Sequence, residues 1–497
     1  MSRRVCVLLV VGSLLLAACG STVQQRNGAP VASGGAGNVA SGAGGDELNG
    51  GSAAGADAAP GSSTNAASGA ASASSASRGT GSSAANGSSS KSSSATAAQT
   101  TGPLEVGFLN TKTGNASAFG LNTGETYAPR EVFEALVKAM NAKGGIAGRQ
   151  LVPVISDTDT ASASWDTDFA AACQNFTQDH HVAAVLGYAF GLFASLEGCL
   201  AKAGIPHLDG GYAVGDITTF EQYPLFVGTS HLTDDRRYVL QLKGAVDHGL
   251  LTKANKVGLL LDDCPEEVRA DKRSTQPYIR SAGINVVATA MMSCTAGATD
   301  IGAVANQIQG AVLAFRSKGV DTVVAEGVPV VVFSAGAESQ SWHPRYLLTS
   351  TSGGAAIEAN VPADQAANMY GFGWFPPADV DSANQPPLTP GQQRCLALLK
   401  TQGLAPSQYN DFVSMYTSCE ALFLYEAALT ATHGNANGRG VVAAIAALGT
   451  SYGSVSTLDG RTGFSASRRD APAEYRPWAW VASCSCFRYS GPAAPLP

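Results

Sequence analysis

Between residues 20 and 102 the chain has almost no aromatic or large aliphatic side chains. A stretch such as GGAGNVASGAGGDELNGGSAAGADAAPGSSTNAASGAASASS cannot bury enough apolar area to offset the entropy of ordering it. A folded domain is thereby excluded there, and a disordered spacer is expected. A Gly/Ser-type coil of that length has an r.m.s. span of about 50 Å, at about 5–6 Å per root residue. Basic runs are missing as well. The 31 Lys and Arg stand against 38 Asp and Glu, a net charge of −7, which argues against a nucleic-acid partner. No second long apolar run follows the one at the start, so no later segment is expected to span a membrane. No cysteine spacing repeats a paired C-x-x-C zinc pattern, and no G-x-S-x-G nucleophile elbow occurs.

What is present begins at residue 3 with RRVCVLLVVGSLLLAACGS. Arg3 and Arg4 form a positive n-region and Val5 to Leu16 an apolar h-region too short for a membrane span, which together read as an export signal over residues 1–18. The tetrapeptide Leu16-Ala17-Ala18-Cys19 resembles a bacterial lipobox. That resemblance implies cleavage before Cys19 and a diglyceride on its thiol. With an N-terminal acyl chain, two or more chains are then available, as stable anchoring requires. Residues 19–102 would be the anchor and its spacer, on the extracytoplasmic face of the membrane. Of 10 cysteines, Cys6 leaves with the signal and Cys19 carries lipid. Eight remain, an even number that points to disulfides in an exported chain.

Residues 103–497 are too many for one core and should form two lobes. LEVGFLN (104–110) suits a buried strand. Phe133, Leu136, Val137 and Met140 then recur at helical spacing up to a stop at Gly144, and QLVPVISD follows as a strand. The same unit of helix, glycine stop and β-branched run recurs at Gly204, Gly283 and Gly319. Strands alternating with helices at this rhythm predict parallel sheets in an α/β fold with right-handed crossovers. Ligands of such sheets sit at the carboxyl ends of the strands.

Those ends are GYAFG (187–191), GGY (210–212) and the segment reaching Phe119 in the first half. In the second half they are Asp262-Asp263, Glu326-Gly327 and Ser350-Thr351-Ser352. The first lobe therefore offers backbone amides and aromatics to meet a negative or apolar group. The second offers Asp262 and Glu326 to meet a positive one.

Together, GFLNTKTGNASAFG, AMNAKGGIAGRQLVPVISD, AAVLGYAFG, AGIPHLDGG and DTVVAEG resemble the type 1 periplasmic binding proteins. These are the solute-binding components of branched-chain amino acid and amide ABC transporters. The resemblance implies two Rossmann-like lobes, 103–228 with 371–449 and 229–370 with 450–497, joined by three crossing strands. It implies a small-molecule ligand between them, an ABC permease as partner, no cofactor and no catalysis. The ligand-contacting positions that match are Phe119, Tyr188, Ala189, Phe190, Gly191, Gly210, Gly211, Tyr212, Glu326, Gly327 and Val328, with Asp262 beside them. The family's amino-acid binders place hydroxyl residues in the loop matching GYAFG, where this chain has only Tyr188. Amino acids or amides and more apolar, aromatic solutes both stay open as ligands. On the carried-over topology Cys173 pairs with Cys199 and Cys395 with Cys419. Three pairings remain open for Cys264, Cys294, Cys484 and Cys486.

Other readings are weaker. The acids of DTDTASASWDTD lack the glycine and final glutamate of a calcium loop and suit helix capping. Adjacent His180 and His181 face different ways. A tethered hydrolase lacks a recognisable triad, and a lipoprotein that senses solute for a membrane partner would share the same fold.

Overall fold

Short apolar runs closed by glycine become the strands of two sheets, both within one unit, Ser89–Pro497. The structure, a computed structural model, describes residues 102–112, 125–187, 189–211, 215–327 and 329–497. The signal segment, Cys19, the spacer, Phe119, Tyr188, Tyr212 and Val328 lie outside the described residues.

The first sheet holds β1 (Leu104–Thr111), β2 (Leu151–Thr158), β3 (Ala184–Gly187), β4 (His207–Asp209) and β5 (Phe226–Gly228). They run in the order β2-β1-β3-β4-β5 and all pairs are parallel. The second sheet holds β6 (Val257–Asp262), β7 (Val286–Met292), β8 (Thr322–Val324), β9 (Arg345–Thr349) and β10 (Met369–Gly373). To these are added β11 (Glu474–Val481), β12 (Cys486–Tyr489) and β13 (Ala494–Pro495). The order is β12-β11-β10-β9-β8-β6-β7, with β13 on β11. Here the expectation of parallel pairing holds only for β6 to β10. The C-terminal strands β11, β12 and β13 pair antiparallel; for β11 and β12 the cause is the short turn over residues 482–485, which can join only antiparallel neighbours.

Buried faces explain the helices. Pro129–Asn141 starts with Pro at its first turn and buries Val132, Phe133, Leu136, Val137 and Met140 along one stripe. Phe133 stacks on Phe108 of β1 with centroids 4.2 Å apart, and burying such a ring contributes ~1.5–3 kcal/mol. The helix ends at Asn141, three residues before Gly144, which takes φ 101° and stands two beyond the cap residue Ala142. At Gly204 and Gly283 the glycine itself is the left-handed cap. The long helix Tyr409–Ala431 returns from the second half of the chain to pack on Pro129–Asn141, β3 and β4. Met369–Gly373, by contrast, belongs to the second sheet, so the proposed lobe boundary at 371 falls inside β10.

Three segments join the lobes, and they are stitched to one another. Gly228 donates to the carbonyl of Arg469 (2.9 Å) and accepts from Ala471 (3.0 Å). The Trp374 indole donates to the Ser230 carbonyl at 2.9 Å, and the Ser456 hydroxyl to the Thr229 carbonyl at 3.2 Å. From the first lobe, buried Glu420 accepts from the Ser454 hydroxyl (2.8 Å) and the Ser456 amide (3.1 Å). Among the described residues four disulfides are present: Cys173–Cys199, Cys264–Cys294, Cys395–Cys419 and Cys484–Cys486. None of them crosses from one sheet's lobe to the other.

Candidate functional site

The carboxyl ends of the strands meet between the sheets, and the two sides of that cleft differ in chemistry. On the first lobe, β4 ends at Asp209, which is 1% exposed. Its Oδ1 accepts from the amides of Ala189 and Gly211, both at 2.9 Å. Burial pushes this carboxyl up to about 6, against the opposing pull of His207 and the two amides. The protein's own acid thus occupies two of the amides that the strand-end reading offered to a ligand's negative group. Gly211 is demanded by this arrangement, since a Cβ there would lie 1.9 Å from the Ala189 carbonyl oxygen. Gly210 is backed by the Thr417 side chain of the returning helix, 2.9 Å from where a Cβ would stand.

Phe190 turns into an aromatic group behind the loop. Its ring lies edge-on to Trp165, Phe169 and Phe193 at 5.1, 5.3 and 5.4 Å, an arrangement that aromatic quadrupoles favour. Gly191 accommodates Phe193, whose ring would be 3.0 Å from a Cβ there.

On the second lobe lies a cavity of about 150 Å³ that includes Asp262, Glu326 and Gly327 among its walls. The helix Asp234–Asp247, the first element after the first crossing, contributes Asp234 and Arg237; the short helix Pro265–Ala270 after β6 contributes Glu266 and Glu267. Gly215 reaches the cavity from the first lobe. Arg237 is 5% exposed and donates to Asp234 at 2.7 Å and Glu267 at 3.3 Å. Its guanidinium also lies 4.7 Å over the Tyr238 ring, whose hydroxyl donates to Glu267 at 2.6 Å. Burial works against the Arg237 charge, yet Tyr238, Asp234, Glu267 and Glu326 hold it firmly protonated.

The acids around it are shifted the other way. Burial pushes Glu326 up to about 7, with Arg237 and the Ser352 hydroxyl opposing. Ser352 donates to Glu326 Oε2 at 2.8 Å. Oε1 has no hydrogen-bond partner; Thr349, which also favours the ionised form, makes no well-formed bond to it. Burial likewise raises Asp234 to about 8 and pushes Asp262 well above the usual carboxylate range. Desolvation disfavours the charged form, and neighbouring like charges add to it.

Of the residues expected from sequence at this site, Asp262, Glu326 and Gly327 come together at the cavity. Ala189, Gly191, Gly210 and Gly211 shape the opposite loops, and Phe190 packs behind them. Arg237, Asp234 and Glu267 escaped sequence reasoning, because they sit inside a helix and a turn rather than at a strand end. The acids of residues 157–168 do not converge as metal ligands: Asp157 bonds Asn110 at 2.9 Å and pairs with Lys112 at 3.3 Å.

The lobes also touch at two rims. The amide of Trp165 donates to the Ala296 carbonyl (3.0 Å) and that of Ala298 to the Ser162 carbonyl (2.8 Å). These contacts join the loops after β2 and β7, the edge strands farthest from the crossing segments. Elsewhere Asp216 of the first lobe accepts from Arg269 at 2.9 Å and Arg273 at 2.8 Å. Despite burial, which acts upward, those two guanidiniums hold the Asp216 carboxyl far below the usual range.

Comparison with known proteins matches this architecture. A periplasmic binding protein family matches residues 103–481. No curated protein sequence matches the chain. Among solved structures, a Rhodopseudomonas palustris ABC-transporter solute-binding protein in complex with 3,4-dihydroxybenzoic acid is similar at 14% identity and a TM-score of 0.57, covering 79% of this chain and 98% of that one. A branched-chain amino acid transporter substrate-binding protein from Streptococcus pneumoniae in complex with isoleucine matches at 18% identity and 0.56, over 78% and 100% of the chains. A leucine-binding protein from Thermotoga maritima matches at 13% and 0.55, over 78% and 98%. At such identities the likeness to these structures is one of fold. With two α/β lobes, three crossing segments and a family match over 379 residues (481 − 103 + 1), the chain belongs to the type 1 periplasmic binding protein family.

Proposed function

We propose that the chain is an extracytoplasmic, lipid-anchored receptor that captures a small organic solute between its two lobes and delivers it to an ABC importer. The observation that carries this reading is the cavity at the strand ends of the second lobe. Buried, charged side chains converge there, and Gly215 of the other lobe closes on it. Burying that much ionisable chemistry costs stability, and such groups collect where a ligand will use them. The similar proteins bound to isoleucine and to dihydroxybenzoic acid make amino acids and aromatic solutes the first candidates. Positive or donor groups of the solute would face Glu326 and Asp262.

The anchor rests on LAAC at the end of the apolar leader, and the long Ser/Gly/Ala segment gives the receptor reach. Holding a receptor near its partner on a flexible tether raises its effective concentration there. Among the described residues no helix is long and apolar enough to cross a membrane.

Native mass spectrometry of the purified protein tests the reading. A small molecule should co-purify and be lost on unfolding. Uniform apo protein that is not stabilised by any amino acid, amide, amine or aromatic acid would overturn the function.

A further inference from the structure

The cavity is lined by five carboxylates, those of Asp234, Asp262, Glu266, Glu267 and Glu326, against the single guanidinium of Arg237. Asp234 and Glu267 both accept from Nη2 of that guanidinium, at 2.7 and 3.3 Å. Asp262 has no hydrogen-bond or ion-pair partner among the described residues. Glu326, 8% exposed, keeps Oε1 unpartnered, and Arg237, 5% exposed, keeps Nε unpartnered. Buried polar groups are nearly always paired, so Glu326 Oε1 and the Arg237 Nε–H each call for an occupant, a donor and an acceptor respectively, and half-buried Asp262 adds a carboxylate open to a donor.

A metal ion is a poor one. Among the described residues the only three ligand-type side chains whose donor atoms lie within 4.8 Å of one another are Glu338, His343 and Asp364, on another part of the second lobe. No three of the cleft acids therefore converge closely enough to enclose a single ion. An anion is worse served: five carboxylates face it, Asp234 and Glu267 hold Nη2 of the one guanidinium and leave its buried Nε to offer, and Asp209 already holds two amides of the facing loops. What fits is a cation long enough to touch separated carboxylates with several N–H donors.

We propose that the cleft takes an organic cation with multiple N–H donors, a guanidine or diamine, placed across Asp262 and Glu326 with Arg237 held aside by Asp234 and Glu267. This rests on the solute-capture reading and sharpens it. Planar or paired N–H donors meet carboxylates through charge-assisted bonds, and these are stronger than neutral ones.

Binding is then linked to protons. The titratable groups lining the cavity are Asp234 and Arg237 from the helix after the first crossing, Asp262 at the end of β6, Glu266 and Glu267 from the short helix that follows, and Glu326 beyond β8; Tyr238 and Asp263 lie behind them and act on Asp234, Glu267 and Asp262. In the empty cleft, burial holds Glu326 up to about 7 and Asp234 up to about 8. A cation lowers these values as it arrives, so protons leave as it binds and affinity rises with pH.

Calorimetry on the full chain with agmatine, 1,4-diaminobutane, isoleucine and 4-hydroxybenzoate, at about pH 6 and about pH 8, tests this. Agmatine or the diamine should bind, about tenfold more tightly at the higher pH for each proton released. The heat should change with the buffer's ionisation enthalpy. Asp262→Asn and Glu326→Gln should each weaken binding about tenfold or more, while thermal unfolding confirms that both variants fold. Binding of isoleucine or 4-hydroxybenzoate with no binding of either amine overturns the cation assignment and leaves solute capture standing. So does calcium chloride displacing agmatine with equal sensitivity to both variants, which would make the site a metal site. Failure of every probe, together with no co-purified solute, overturns both.

Discussion

The unliganded protein should carry a stability cost at Glu326 that grows with pH and that one atom change removes. Glu326→Gln keeps the size of the side chain and an oxygen for Ser352, which donates at 2.8 Å, but cannot ionise. The carboxyl sits at about 7 in the folded protein against 4.5 for an ordinary glutamate. A group with a raised folded value contributes its stability below the unfolded value and loses it as pH rises through the folded one. The wild type should therefore lose stability relative to the variant between about pH 4.5 and about pH 7. The difference of two to three pKa units corresponds to ~3 kcal/mol at 1.36 kcal/mol each. Below pH 4.5 the two proteins should differ little, and above pH 7 the variant should be the more stable by that amount. Urea unfolding of both proteins, followed by circular dichroism across this range in ligand-free buffer, measures it. Parallel curves, or a variant less stable at high pH, would falsify the claim that Glu326 is buried beside other acids with one oxygen unpaired. A solute bound during the measurement would mask the effect, so the protein must first be stripped by unfolding and refolding.

Asp216→Asn keeps an oxygen for capping Thr219, whose amide it accepts at 3.0 Å, but removes the charge facing Arg269 and Arg273; small-angle scattering should show a larger radius of gyration for the ligand-free variant, and an unchanged curve refutes a rim latch. Phe133→Ala removes a ring with no exposure, stacked at 4.2 Å on Phe108, and should cost ~3–5 kcal/mol in denaturant titrations; a loss under 1 kcal/mol would mean the first lobe's core lies elsewhere. Gly371→Ala would put a Cβ 1.9 Å from the Trp478 ring, so overpacking of ~1–3 kcal/mol or more is expected, visible as a lowered melting temperature with solute binding retained by the folded fraction. Cys19→Ala should release the protein from membranes or stall it as an unprocessed precursor in fractionation; normal processing with full membrane retention argues against lipidation.

Local pattern determined much of this molecule. The rhythm of helix, glycine and apolar run marks β2, β4, β7 and β8, which follow Gly144, Gly204, Gly283 and Gly319, because helix-to-strand turns need a residue free to take positive φ, as Gly204 does at 76° and Gly283 at 66°. The strand-end rule pointed to Asp262 and Glu326, since a parallel sheet directs those ends to one edge whatever the rest of the chain does. Other features depend on partners distant in sequence. Arg237 is an ordinary helical arginine until the first crossing buries it against Glu267, thirty residues on. The amides of Ala189 and Gly211 look available in sequence, and only the fold shows Asp209 already holding both. Phe190 is equally a ligand-facing or a packing residue by type; Trp165, Phe169 and Phe193 decided it by surrounding its ring. The antiparallel addition of β11 and β12 also needed tertiary structure, because pairing with β10 joins strands a hundred residues apart. Periodicity and glycine placement act within a few residues and survive in sequence, whereas burial, charge pairing and unsatisfied hydrogen bonds exist only once the two lobes meet.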